Sequence, residues 1–327
     1  MQPFTYVRPA SLDEALAAAA IPGAALLAGG TTMVDLMRGD LAAPASVVDI
    51  SRLAELQAFD TSGDTLRFGA LARMADVAED ATLLRSYPAL AESLQLAASQ
   101  QLRNAATVGG NVLQRTRCFY FRDGVSACNK RNPGAGCAAQ DGQTRDMALF
   151  GGSGECVATY PGDWGTALAA FDTEVETASA EGGRRIPFAE LHLFAGRSPS
   201  VETVLKPGEI ITAITVKATP AGRRSTYLKV RDRQSYAYAV VSAAVALEMD
   251  GDTVTAARVS LGGVATKPWR SHAAEAALTG ATLSEKAALD AGEAAFAEAR
   301  PLRDNAFKIE LGRRVVAKAA LVAARRS

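Results

Sequence analysis

Cys118, Cys128, Cys137 and Cys156 are the only thiols in 327 residues, and the first three fall in CFYFRDGVSACNKRNPGAGC, residues 118 to 137. Nine, eight and eighteen residues separate them in turn. Four thiols can form two disulfides, hold zinc or carry an iron–sulfur cube. The close C-x₂₋₄-C pairs typical of structural zinc are absent, whereas a [4Fe–4S] cube accepts several loop spacings. Disulfides belong to oxidising compartments, and the opening MQPFTYVRPASLDEA has no basic region followed by an apolar export segment. Nearby, Arg115, Arg117, Arg122, Lys130, Arg131 and Arg145 outnumber Asp123, Asp141, Asp146 and Glu155. That surplus would offset the negative charge of a tetrathiolate zinc site or of a cube equally well. The residues alone leave iron–sulfur and zinc level, with free thiols behind.

Two glycine pairs offer a second chemistry. In AGGTTMVDL, residues 28 to 36, Gly29 and Gly30 allow a backbone to approach a ligand closely. Thr31 and Thr32 add hydroxyls where a helix start favours an anion such as a pyrophosphate. ATVGGNV, residues 106 to 112, repeats the pattern, with Thr107 before the pair and Asn111 after it. Each stretch also reads as a plain turn, and neither has GxGxxG or Walker A spacing. In STYLKVRDRQSYAYAVVSAAV, Lys229, Arg231 and Arg233 alternate, so they share one strand face, expected to be solvated. Tyr227, Tyr236 and Tyr238 read either as core or as the wall of a flavin site. Met33 and Met37, four apart on a helix, read as packing. The only histidines, His192 and His272, are far apart, which argues against a His-rich metal site or a Ser-His-Asp triad.

These residues need a scaffold. With 48% hydrophobic and 21% charged residues, the chain is globular and long enough for two or three domains. Thirty-five basic and thirty-five acidic residues leave no net field to attract nucleic acid or an anionic membrane. No apolar run is long enough to span a bilayer. The cytoplasm is the expected location, or the periplasm if a signal-bearing partner carries the chain out.

SLDE, Ser11 to Glu14, is a capping box ahead of the helical ALAAAA. AALLAGG and SVVDIS read as strands, TTMVDLMRG as a helix stopped at Gly39, and TLRFGAL as another strand. ADVAEDATLLRSYPALAESLQLAAS carries helical spacing interrupted by Pro88. Residues 113 to 162 hold all four cysteines and ten Gly or Pro residues, so they read as a loop-rich insertion held by something other than a core. GTALAAFDTEVETAS reads as a helix then a strand, and EIITAITVK as a strand. After KATPAGRRS come three strands, STYLKV, AYAVVSAAVALEM and TVTAARVSLGGV, then helices in SHAAEAALTG, SEKAALDAGEAAFAEA and KIELGRRVVAKAALVAARR. The division falls near residue 220, giving domains at 1–220 and 221–327.

Taken in order, LLAGGTTMVDLMR, ATVGGNVLQ, YPGDWGTALAAFDTEVE, PGEIITAITV, TYLKVRDRQSYAYAVVSAAV and ARVSLGGVATKPWR resemble the FAD-binding subunits of the molybdenum hydroxylases. That family includes xanthine dehydrogenase and carbon monoxide dehydrogenase. RTRCFYFRD, CNKRNPGAGCAA and YPGDW are similar to the FAD subunit of the periplasmic aldehyde oxidoreductases, which carries an extra [4Fe–4S] cluster in this insertion. The resemblance implies an α+β fold, with an FAD-binding domain of two subdomains and a smaller C-terminal α+β domain. It implies FAD contacts from Ala28, Gly29, Gly30, Thr31, Thr32, Met33, Val34 and Asp35, then from Thr107, Val108, Gly109, Gly110 and Asn111. It adds Asp163, Ile211 and Lys229, and it makes the four cysteines ligands of a [4Fe–4S] cluster. The implied activity is electron transfer through FAD to an external acceptor, with no substrate-converting residues in this chain. A large molybdenum-cofactor subunit and a small [2Fe–2S] subunit are the implied partners, forming a heterotrimer. The rival readings are the FAD subunit of a xanthine or other heterocycle dehydrogenase, a free-standing flavoprotein and a non-catalytic, zinc-stapled scaffold.

Overall fold

The computed structural model describes residues 1–326. Its first layer is a three-stranded parallel sheet. Strand β1 (Thr5–Val7) leads to α1 (Leu12–Ala19), then β2 (Ala24–Leu27), α2 (Met33–Arg38) and β3 (Ser46–Asp49). The strand order is β1-β3-β2. Helix α1 begins where the capping box predicts, with Ser11 Oγ accepting the Glu14 N–H at 3.2 Å. The Glu14 carboxylate reaches back to the Ala10 N–H, at 2.7 Å, instead of to that of Ser11. Ala15, Ala19, Val48 and Ile50 close this small core, joined by Leu71 and Ile210 from the next layer.

A five-stranded antiparallel sheet forms the second layer, in the order β4-β5-β8-β6-β7. Strands β4 (Phe59–Asp60) and β5 (Thr65–Gly69) precede five helices: α3 (Met74–Ala78), α4 (Ala81–Ser86), α5 (Pro88–Gln95), α6 (Gln100–Ala105) and α7 (Val108–Val112). The helical spacing across residues 75–99 thus resolves into separate pieces. Pro88 occupies the first turn of α5, where its missing N–H costs nothing. The second glycine pair lies inside the helical turn α7, not in a strand-to-loop turn.

The cysteine-bearing segment follows, with one four-residue helix, α8 (Phe119–Arg122), and no strand between residues 113 and 162. The chain then re-enters the second layer through α9 (Asp163–Ala169), β6 (Thr173–Ser179), β7 (Gly182–Pro187), α10 (Phe188–Leu191) and β8 (Ile210–Lys217). Phe68, Leu90 and Trp164 are fully buried in its core, and the Phe68 and Trp164 rings meet edge to face at 5.6 Å.

The third layer is an antiparallel sheet ordered β12-β11-β10-β9. It comprises β9 (Ser225–Val230), β10 (Val241–Asp250), β11 (Thr253–Gly262) and β12 (Trp269–Arg270). Helices α11 (His272–Leu278) and α13 (Phe307–Ala324) pack against it, and α12 (Glu285–Phe296) packs on those two helices. Strand β10 starts at Val241, later than its apolar run predicts, because residues 231–240 cross between the strands without joining the ladder. Val245, Val259, Leu278, Ala291 and Val316 are among the residues closing this core.

Candidate functional site

A cleft of roughly 210 Å³ opens between the first two layers. The turn from β2 into α2 forms one wall. Gly29 packs so closely on the end of α6 that a Cβ would run into the Ala105 carbonyl. Gly30 has φ +74, a left-handed conformation that side chains resist. Thr32 starts α2 without spending its hydroxyl on a cap. Across the cleft, Thr107 caps α7 by accepting the Gly110 N–H at 3.3 Å.

Two residues lining this cleft each keep a buried polar atom that has no protein partner among the described residues: Asn111 its Oδ1 acceptor and Arg117 its Nε donor. Leaving such groups unpaired costs about 1–3 kcal/mol each. The cleft therefore suits a ligand that offers both donors and acceptors. With close-approach glycines and free hydroxyls opposite, it also suits a phosphate-bearing one.

Asp163, at the start of α9, lies on the cleft wall. It accepts the Tyr227 hydroxyl at 2.5 Å and the Lys229 ammonium at 2.8 Å. Burial pushes its carboxyl pKa up, against the pull of Lys229 and Tyr227. The Lys229 side chain is 0% exposed and also holds the Leu96 carbonyl at 3.0 Å. The expected solvated face therefore fails at Lys229, because β9 turns it inward onto a buried carboxylate. Arg233 does remain exposed. Just beyond Leu96, Ala98 lines the cleft with φ +48, a conformation costly for a residue with a Cβ.

Of the residues expected to hold FAD, Ala28, Gly29, Gly30, Thr31, Thr32 and Met33 line the cleft. So do Thr107, Gly109, Gly110, Asn111, Asp163 and Ile211. Four do not. Val34 is exposed, Val108 is buried in the core, Lys229 stands behind Asp163, and Asp35 pairs with Arg117 and Arg122. Met37 packs as expected, but Met33 faces the cleft. The three tyrosines divide: Tyr227 is core, Tyr236 is exposed and Tyr238 lines the cleft. Sequence reasoning missed the lining roles of Met74, Ala98, Leu102 and Arg117. Arg117 had a signal, the basic cluster around the cysteines. The other three read as ordinary helix or loop residues.

The four cysteines are free and converge from separate loops. Cys118 is the hub. It packs beside Cys128 with Phe121 and Leu36, beside Cys137 with Met147 and Val157, and beside Cys156 with Ala158 and Ala195. Residues Cys128 and Cys137 also form an isolated antiparallel bridge. Burial pushes the Cys118 thiol up to about 11, and nearby thiols add to the rise. Cys156 is raised for the same first reason, with Lys130 pulling the other way. Among the described residues, no group of three or more His, Cys, Asp or Glu is drawn together as ligands of one metal ion. Four free thiols drawn from one segment are a donor set of the kind that holds either zinc or an iron–sulfur cube.

Residues 2–218 match the model of the FAD binding domain in molybdopterin dehydrogenase, and residues 226–323 match that of the CO dehydrogenase flavoprotein C-terminal domain. The chain is 43% identical over 321 residues to the aldehyde oxidoreductase FAD-binding subunit PaoB of Escherichia coli K12, covering 97% of each. It is 26% identical to the carbon monoxide dehydrogenase medium chain of Hydrogenophaga pseudoflava, over 92% of this chain and 88% of that one. A solved structure of carbon monoxide dehydrogenase from the same organism superposes with a TM-score of 0.76 at 26% identity, over 100% of both chains. Quinoline 2-oxidoreductase from Pseudomonas putida 86 shares the fold, with a TM-score of 0.76 at 23% identity over 99% and 98% of the two chains. The chain is thus an oxidoreductase subunit and belongs to the FAD-binding flavoprotein subunits of the molybdenum hydroxylase family.

Proposed function

We propose that this chain is the FAD-binding electron-transfer subunit of a molybdenum-dependent aldehyde oxidoreductase and that its insertion carries a [4Fe–4S] cluster. The observation that carries the flavin reading is the cleft between the two glycine stretches, where Asn111 Oδ1 and Arg117 Nε lack protein partners. End-to-end similarity to an aldehyde oxidoreductase FAD-binding subunit supports the aldehyde assignment. A large molybdenum-cofactor subunit and a small [2Fe–2S] subunit would complete the complex, as the medium-chain relatives suggest. We assign residues 1–220 to the FAD-binding domain and 221–327 to the C-terminal domain.

Within the cleft, Ala28 to Met33 and Thr107, Gly109, Gly110 and Asn111 would bind the cofactor's phosphates and sugar, while Asp163 and Ile211 would contact it from the far wall. Lys229 would act through Asp163, holding the carboxylate and the Leu96 turn in place. When bound, FAD supplies the redox chemistry, accepting electrons from the [2Fe–2S] partner and yielding them to an external acceptor. The chain's own residues bind, orient and shield it.

Cys118, Cys128, Cys137 and Cys156 would hold the cluster as thiolates. Buried thiols with raised pKa values are poor thiolates on their own, so ligation is what would draw off their protons. The test is Cys128→Ser in the co-expressed complex, read by iron and acid-labile sulfide content and by aldehyde turnover. Loss of both cluster and turnover supports a conducting cluster. Cluster loss with normal turnover makes it structural, and unchanged iron overturns the ligand assignment. Heterocycle oxidation in place of aldehyde oxidation by the same complex would favour a xanthine-type dehydrogenase. The chain is expected in its partners' compartment, cytoplasmic or, with a signal-bearing partner, periplasmic, and cell fractionation checks this.

A further inference from the structure

A second cavity, of roughly 330 Å³, adjoins the cleft and reaches Cys118. Three residues line both spaces: Arg117, Asp163 and Tyr238. The charge of Asp163 is matched by Lys229 at 2.8 Å. Tyr238 is neutral and lies under the Arg117 guanidinium, 5.1 Å from ring centroid to guanidinium carbon. Arg117 is different. Its Nη1 donates to Asp35 Oδ2 at 3.0 Å, but its Nε is buried and unpaired. Arg122 donates to that same Asp35 oxygen, so two guanidinium groups share one carboxylate. Among the described residues this trio carries one net positive charge, and its member on the common wall is Arg117, one residue before the first cysteine.

We infer that Arg117 is a positioning residue that tunes the flavin, its cation stabilising the reduced cofactor over the oxidised one. The inference rests on the FAD reading above. On reduction the ring takes two electrons from the partner subunits and one proton from solvent, ending one unit more negative. No protein bond changes. A fixed cation at the wall favours that extra charge and raises the potential. Because Arg117 grips the helix that follows the first glycine pair and directly precedes Cys118, it also fixes the cleft relative to the cysteine insertion.

The test is a dye-equilibrated redox titration of the FAD-loaded full chain, read at the flavin bands, with FAD content measured in parallel. Arg117→Gln should lower the reduced-to-oxidised ratio about tenfold at a given potential, about 30 mV for a two-electron couple. Arg117→Lys, which keeps the charge, should restore most of that shift. Asp35→Asn should move the potential the opposite way, since it removes the only carboxylate in the trio; this arm holds even if Arg117→Gln fails to retain FAD. A purely structural Arg117 would change FAD content but not the potential. Wild-type protein with FAD, but unmoved potentials in the variants that retain it, would overturn this inference alone. Wild-type protein that binds no FAD would overturn the flavin reading and this inference with it.

Discussion

At the residue scale, the buried Asp163–Lys229–Tyr227 triad makes the largest single demand on the fold. A carboxylate and an ammonium taken out of water are tolerable together and costly apart. Lys229→Met should therefore destabilise the chain by about 3–5 kcal/mol, whereas Lys229→Met with Asp163→Asn should cost clearly less. Urea unfolding of all the variants checks this. The pH dependence has a defined sign. Burial raises the Asp163 carboxyl above its ordinary 3.8, and losing Lys229 raises it further. The folded variant then holds a proton that the unfolded chain releases, so the Lys229→Met penalty shrinks as pH falls and grows as it rises. Equal penalties at pH 5 and pH 8 would contradict this account. Asp163 and Lys229 are legible in the sequence only through family resemblance. Alternation places Lys229 on a face with Arg231 and Arg233, and nothing in that pattern reveals a carboxylate from sixty-six positions earlier turning the face inward. Gly29 and Gly30 are the opposite case. Their need for close approach and positive φ is local, and local needs are written in residue type.

At the element scale, the cleft depends on two short pieces held from outside. The first is the turn between β2 and α2. Gly29→Ala would push a Cβ into the Ala105 carbonyl, and overpacking of this kind costs about 1–3 kcal/mol. The expected result is a lower melting temperature together with reduced FAD content. The second is α7, whose Val112 carbonyl receives His192 Nε2 at 2.8 Å and the Tyr160 hydroxyl at 3.2 Å. Burial lowers the His192 pKa from 6.5 to about 4, so the ring is neutral at pH 7. As pH falls through 6.5 the unfolded chain gains a proton that the folded chain refuses, and stability drops, by about 2 kcal/mol at pH 5. His192→Gln should remove that part of the acid sensitivity, measured as the difference in unfolding free energy between pH 7 and pH 5. The long helices and most strands were legible because their periods of two and 3.6 are intrinsic to the chain, whereas β1, β4, β7 and β12 carry too little apolar alternation to be read. The short helices α6 and α7 were not, since pieces of six and five residues carry too little pattern and owe their form to tertiary contacts.

At the scale of the whole molecule, the cysteine insertion acts as a joint. Arg117 and Arg122 tie it to Asp35 in the first layer, and Arg115 and Lys130 tie it to Glu202 beyond the second layer's α10. The Thr144 N–H donates to the Asp304 carboxylate, and the Met147 carbonyl accepts from Asn305 and Lys308, these last three all residues of the third layer. Its own apolar clusters are small, so polar contacts and the cysteine core must hold it. Removing the proposed cluster with an iron chelator should make residues 113–162 the first site of limited proteolysis, ahead of the three sheets. Resistance equal to that of the untreated protein would mean that the insertion stands without a cluster. The loop-rich character of this segment was plain from composition, but its partners in three layers were not, because such contacts depend on how the whole chain closes.

The central claim, that one chain holds both FAD and a [4Fe–4S] cluster, is tested most directly by the visible absorption spectrum of the anaerobically purified chain before and after dithionite. Structured flavin bands over a broad iron–sulfur shoulder are expected, both bleaching on reduction. Flavin bands without the shoulder would contradict the cluster, and a colourless chain that takes up no added FAD would contradict the flavin site itself.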